Sequence, residues 1–354
     1  MSERKRNGVR RPPAALVLAL LGLAVAGAVL LATGSGQVAI PPATAARILL
    51  HQAHLLPRGD WSPQQETILL TLRLSRVVAA AVVGAALAVA GVLFQGLLRN
   101  PLADPYVVGT SGGAALGGVL GMLLGGSITA LGFGIVPLAA FLGALAATAL
   151  VVQLASVGGR LPIVTVLLAG IAVSTLMGYT VSALLVLNDR LQLQLPRVYA
   201  WLLGGVPDAA WEPLQVVGPL ALLGILAALT RARALNALSL GEDGAARLGI
   251  PVEPEKRLLL ALGSLLTALA VSIAGLVGFV GLIVPHLVRL VCGADHRLLL
   301  PASALAGAAF LVLADLLART LAAPAELPLG VVTAFLGGPF FLWLLRRSRR
   351  EYQW

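Results

Sequence analysis

Asp315 lies in an apolar stretch, and Arg319 follows it four residues later. On a helix that spacing puts both side chains on one face, where they pair. Acids at mid-membrane are the usual ion-coupling groups of secondary carriers. A single acid close to a helix end, with an arginine on its own face, reads first as a structural pair. His51 and His54 share a polar segment at i, i+3 spacing, too few ligands for a metal site. The lysines are Lys5 and Lys256, and neither follows the Gly-x-x-x-x-Gly pattern of a phosphate-binding loop, so ATP hydrolysis is not expected on this chain. His-Glu-x-x-His is also missing. Cys292 is the sole cysteine, which excludes an intramolecular disulfide and Cys-rich metal motifs. No catalytic constellation, resident cofactor or metal site emerges, and an enzyme is not expected.

The elements that carry these residues are membrane spans. Of 354 residues, 58% are apolar, 11% are charged and 40 are glycine. A soluble domain carries about 25% charge, so the composition is that of a polytopic all-α membrane protein. Arg4, Lys5, Arg6, Arg10 and Arg11 precede the apolar run 14–33. Its length exceeds the roughly 7–15-residue core of a signal peptide, which predicts a retained first span with its N-terminus cytoplasmic. Further spans are expected at 77–98, 106–126, 133–156, 161–187, 213–230, 258–274, 279–291, 298–317 and 327–345, with a Gly-rich turn near 125–134. Ten spans put both termini in the cytoplasm, and Arg346, Arg347, Arg349 and Arg350 follow the last one.

With that topology 18 of the 25 lysines and arginines face the cytoplasm, the bias expected of inner loops. It also accounts for the net charge of +10 without nucleic acid, since no basic, aromatic-interleaved soluble segment exists. Trp61, Trp201 and Trp211 fall near the outer interface and Trp343 near the inner one. The long polar stretches are an outer loop, 34–76, and an inner loop, 231–257. In the inner loop, 245–248 favours helix, Gly249 suits a C-cap and Pro251 stops the chain. That segment is either a solvated linker or a docking element for a cytoplasmic partner. A faint echo between 90–94 and 274–279, in spans of opposite direction, would suit an inverted repeat. Runs such as Val83-Gly84-Ala85-Ala86 predict close helix packing.

Several ordered segments carry a resemblance. They are Arg73-Leu74-Ser75-Arg76, Val83-Gly84-Ala85-Ala86-Leu87, and Gln95-Gly96-Leu97-Leu98-Arg99-Asn100-Pro101-Leu102-Ala103-Asp104-Pro105. Farther on come Leu240-Gly241-Glu242 with Leu248-Gly249, then Gly278-Phe279-Val280-Gly281-Leu282-Ile283-Val284-Pro285-His286. The last is Glu326-Leu327-Pro328-Leu329-Gly330-Val331-Val332-Thr333-Ala334. Together they resemble the FecCD-type permeases, membrane subunits of binding-protein-dependent ABC importers for ferric siderophores, haem and cobalamin.

The resemblance implies a type II ABC importer permease of ten spans with an inverted repeat, working as a homodimer in the bacterial inner membrane. It implies two cytoplasmic ATPase subunits, which hold the ATP and Mg, and a soluble binding protein that delivers a metal chelate. By the same resemblance Arg73, Arg76 and Arg319 receive acidic residues of the binding protein. Coupling helices fall at about 236–252, with Leu240, Gly241, Glu242, Arg247, Leu248 and Gly249 facing the ATPase. The cytoplasmic gate falls at Ile163, Val164 and Thr165. The expected function is alternating-access import. Two other classes are left open: an ion-coupled secondary carrier, which would need an acidic pair at mid-membrane, and a membrane-embedded enzyme or structural subunit, which would need a catalytic dyad within the spans.

Overall fold

The computed structural model describes residues 13–36, 38–125, 134–206 and 210–348. The basic cluster at 4–11, most of the expected turn at 125–134, and Arg349 and Arg350 lie outside the described residues. Helices run Ala14–Gly34 (α1), Pro42–Gln52 (α2), Pro63–Leu97 (α3), Thr110–Leu124 (α4), Ile135–Ala155 (α5) and Ile163–Leu187 (α6). They continue as Leu195–Leu202 (α7), Trp211–Thr230 (α8), Ala232–Leu238 (α9), Glu242–Arg247 (α10), Val252–Ala274 (α11), Val280–Cys292 (α12), His296–Thr320 (α13) and Leu329–Ser348 (α14).

Seven of the described helices are long and apolar enough to cross a membrane. Shorter apolar helices occupy Thr110–Leu124, Val280–Cys292 and Leu329–Trp343, and counting them as crossings gives ten. At 1.5 Å per residue the 13 residues of α12 reach only about 20 Å, short of a hydrocarbon core of about 30 Å. Extended chain at 275–279 precedes it. Irregular backbone at that depth must be satisfied inside the protein. The Tyr106 hydroxyl does so at Val277, donating to its carbonyl and accepting from its N–H, each at 3.2 Å. Gly205 N–H donates to the Ala274 carbonyl at 2.8 Å.

The core is built around α3, with α11 and α13 packed against it; these three are the most buried long helices. Close approach depends on glycine. Gly84 and Gly307 meet where α3 crosses α13, and a Cβ on either would collide with the carbonyl of the other. Helices α1, α5, α6 and α8 keep most of their apolar surface outward, as lipid or a neighbouring subunit requires.

Several boundaries differ from the sequence expectation. The 34–76 stretch holds α2 and the first turns of α3. Ser62 and Gln65 form a reciprocal capping box that starts α3 at Pro63, and a π-turn at Ile68–Arg73 carries it through without a break. At 106–126 the helix opens only at Thr110, because Pro105–Val108 is a 3-10 turn capped by Asp104. Helix α11 begins at Val252 because its charged first turns are helical although not apolar. The inner 236–252 segment holds α9's end and α10, separated at Gly241 (φ +101°). The echoing segments differ in conformation: 90–94 is mid-helix, whereas 274–279 contains a break with Gly275 and Phe279 at positive φ.

Candidate functional site

Charged side chains gather at the two ends of the bundle. At one end, α1 terminates beside the first turns of α3 and the last turn of α13. The final carbonyls of α1 have no partner within the helix, and two arginines supply it. Arg73 donates to the carbonyls of Thr33 (3.0 Å), Gly34 (3.2 Å) and Val38. Arg319 donates to Ala32 (2.8 Å) and Ser35 (3.3 Å). A cation at a helix C-terminus is also favoured by the helix dipole.

Arg76 is one turn along α3 from Arg73 and grips Asp315 on α13. Its Nε donates to both carboxylate oxygens at 3.1 Å, and Nη2 donates to Oδ1 at 2.9 Å. Asp315, with a side chain 2% exposed, also forms an ion pair with Arg319 Nε at 3.3 Å, without hydrogen-bond alignment. Arg76 Nη1 reaches outward to Glu326 Oε2 at 2.9 Å, on the exposed loop before α14. Arg76, Asp315 and Glu326 form one wall of a cavity of about 430 Å³, together with Arg197, Trp201 and Leu214. The three expected docking arginines are thus brought together, but Arg73 and Arg319 are committed to capping α1. Arg47, Arg58, Arg190 and Arg197 are the exposed cations of that end.

At the other end, α9 and α10 form a compact unit. Asn236 holds it to α13: its Nδ2 donates to Asp295 Oδ1 at 2.7 Å, and its Oδ1 accepts from His296 N–H at 3.0 Å. The Asn236 bond and the Arg297 N–H keep the Asp295 carboxyl below the usual range. Of the expected coupling residues, Leu240, Arg247, Leu248 and Gly249 are exposed, and Gly241 and Glu242 are half-buried. Leu240 and Leu248 are 70% and 63% exposed, an apolar tip that no described residue covers. Ile163, Val164 and Thr165 open α6 after Pro162, and Val164 is 67% exposed.

Lys256 was informative in the sequence only as one of two lysines. The structure makes it the centre of a cluster. Although 3% exposed, it meets Glu253 (2.7 Å), Glu242 (3.2 Å) and the Leu161 carbonyl (2.9 Å). The available signal was the i, i+3 spacing of Glu253 and Lys256. Between the two ends, Asp104 accepts from Tyr106 N–H at 2.8 Å, and burial raises its carboxyl to about 6. Among the described residues no three His, Cys, Asp or Glu side chains gather as metal ligands.

The model of the FecCD transport family matches residues 20–347. The chain belongs to the FecCD family. An ABC transporter permease of Bacillus subtilis (strain 168), YvrB, is 42% identical over 339 residues, covering 95% of this chain and 94% of that relative. The cobalamin import system permease BtuC of Halobacterium salinarum is 48% identical over 281 residues, covering 79% and 74% of the two chains. The hemin transport system permease HmuU of Yersinia pestis is 45% identical over 292 residues, 80% and 84% of the two. The fold of this FecCD chain also matches an inward-facing structure of an ABC transporter assigned to the metal-chelate type. That match has a TM-score of 0.80 and 31% identity, covering 94% of this chain and 99% of the other.

Proposed function

We propose that this chain is the permease subunit of an ATP-driven importer that carries a metal chelate (ferric siderophore, haem or cobalamin) into the cytoplasm. The observation that carries the reading is the FecCD match across 20–347, nearly the whole membrane-spanning chain. In this reading two copies line the pathway, two ATPase subunits sit beneath them, and a soluble binding protein docks above. The setting is a bacterial inner membrane. The basic bias of the loops supports a cytoplasmic α9–α10 end and cytoplasmic termini. An apolar, weakly binding pathway suits a bulky chelate, because conduction requires release; selectivity then resides in the binding protein.

Each end has a matching task. The exposed Leu240 and Leu248, flanked by Asp243 and Arg247, give the ATPase an apolar contact with a polar rim. At the outer end, exposed Arg47, Arg58, Arg190 and Arg197 attract an acidic binding protein and set its register. Arg76 meets a partner carboxylate by exchange with the exposed Glu326, while Arg73 and Arg319 hold the floor of the site. ATP binding drives the ATPase pair together, α9–α10 moves, and the pathway alternates its access.

An ion-coupled carrier is the poorer reading. Asp315 is bound by Arg76 and Arg319 five residues from the end of α13, so it is not a free coupling acid. The test is co-purification with the candidate ATPase in lipid. The importer reading expects ATPase activity that changes when the loaded binding protein is added; a chain that assembles with no ATPase would refute it.

A further inference from the structure

The hairpin between α5 and α6 is mostly exposed over 156–160 and closes on itself through paired hydrogen bonds between Val157 and Arg160, both 3.0 Å. Its position against the bundle is set by the first turns of α11. Glu253 Oε2 accepts from Leu161 N–H at 2.8 Å, and Lys256 Nζ donates to the Leu161 carbonyl at 2.9 Å. Both polar groups of one peptide residue are therefore held by neighbouring side chains of a single helix. Arg257 Nη2 adds a third hold at the Gly159 carbonyl, 2.7 Å. The Leu161 side chain is 1% exposed, and Pro162 joins it stiffly to Ile163, the first residue of α6.

The same turns of α11 reach the α9–α10 unit. Lys256 Nζ meets Glu242 Oε1, at the start of α10, at 3.2 Å. Glu255 pairs with Arg231, at the start of α9, at 3.7 Å. An ammonium almost wholly out of water is costly unless its partners stay in place. Glu242 is 41% exposed, so its link to Lys256 is the weaker one, and a shift of α10 either draws on Leu161 through Lys256 or breaks that link.

We infer that Lys256 is the positioning residue that ties the α9–α10 unit to the base of α6, so that movement of one is delivered to the other. This rests on the importer reading, in which α9–α10 meets the ATPase and Ile163, Val164 and Thr165 lie at the cytoplasmic gate. Lys256 touches neither ATP nor cargo. It fixes the Leu161 backbone two residues before the gate.

The experiment uses the full transporter with its ATPase and binding protein in proteoliposomes. The first readout is cargo moved per ATP hydrolysed. The second is the distance between spin labels at exposed positions 160 and 246, introduced as Arg160→Cys and Ala246→Cys with Cys292→Ser. In the otherwise native chain the two labels keep one distance while ATP is bound and released. Lys256→Met is expected to let that distance change with nucleotide and to lower cargo per ATP roughly tenfold or more. Glu253→Ala frees the Leu161 N–H and removes the nearer carboxylate of Lys256 while leaving Glu242 in place; it is expected to act in the same direction, to a smaller extent. A purely structural lysine would lower the yield of assembled complex and leave both readouts of the surviving complex unchanged. Unchanged readouts in both variants, with the native complex transporting normally, overturn the inference alone. A native chain that recruits no ATPase overturns the importer reading and the inference with it.

Discussion

Asp315→Asn is the sharpest perturbation of the charged cluster at the arginine end. The wild-type carboxylate, 2% exposed, takes three hydrogen bonds from Arg76 and an ion pair from Arg319. Asparagine keeps the shape and one acceptor oxygen but leaves two guanidiniums facing each other without the acid between them. Removing one partner of a buried pair costs about 3–5 kcal/mol. The retained acceptor puts Asp315→Asn near the lower end, about 3 kcal/mol. Glu326→Gln removes a partner of the same Arg76, but its side chain is 47% exposed. An exposed pair is worth at most about 1 kcal/mol. Unfolding of the detergent-solubilised protein by increasing SDS measures both. A buried charge centre requires Asp315→Asn to cost at least twice what Glu326→Gln costs. Equal effects would refute a buried charge centre that joins α3 to α13.

Three further outcomes follow from the same geometry. Burial holds the folded Asp104 carboxyl near 6, above the unfolded value of about 3.9. The folded chain then binds more protons between those values, so stability falls as pH rises from 4 to 6 and levels off above. Asp104→Asn, which can still accept from Tyr106 N–H, is expected to abolish that fall in thermal unfolding midpoints taken across pH 4–8. Asp295 is depressed by Asn236 and the Arg297 N–H and has the opposite sign: its contribution is present above the unfolded value and lost as pH falls through the folded one. Asn236→Ala is therefore expected to lower stability at pH 7 more than at pH 3 in the same assay. Gly84→Val puts a branched side chain against the Gly307 backbone. Overpacking typically costs about 1–3 kcal/mol, and a backbone cannot repack, so folded yield on size exclusion is expected to collapse.

Much of this architecture is legible in the sequence because lipid imposes it. Uncharged runs become helices wherever backbone polar groups must be satisfied internally, so the centres of the spans are evident. Their ends are not. Helix α11 extends six residues before the apolar run because Glu253, Glu255, Lys256 and Arg257 are helical for the sake of tertiary partners. The start of α3 was written in Ser62, Pro63 and Gln65, a local signal that hydropathy does not weigh. At the arginine end, the Asp315–Arg319 pair follows from spacing alone. The stronger partner, Arg76, is 239 residues away in sequence, and no local pattern could supply it. The use of Arg73 and Arg319 as caps for α1 likewise depends on where α1 ends in space. Lys256 illustrates the other limit: a lysine beside two glutamates looks like a solvated face until the fold buries it.

The proposed importer moves a chelate with energy supplied by a separate ATPase. Uptake into proteoliposomes holding the chain and its ATPase tests it most directly, using binding proteins loaded in turn with haem, cobalamin and a ferric siderophore. The expected result is uptake of one cargo that requires ATP on the ATPase side and the matching binding protein outside, and that persists when ionophores collapse every ion gradient. Uptake by the chain alone, driven by an ion gradient and indifferent to ATP, would contradict it.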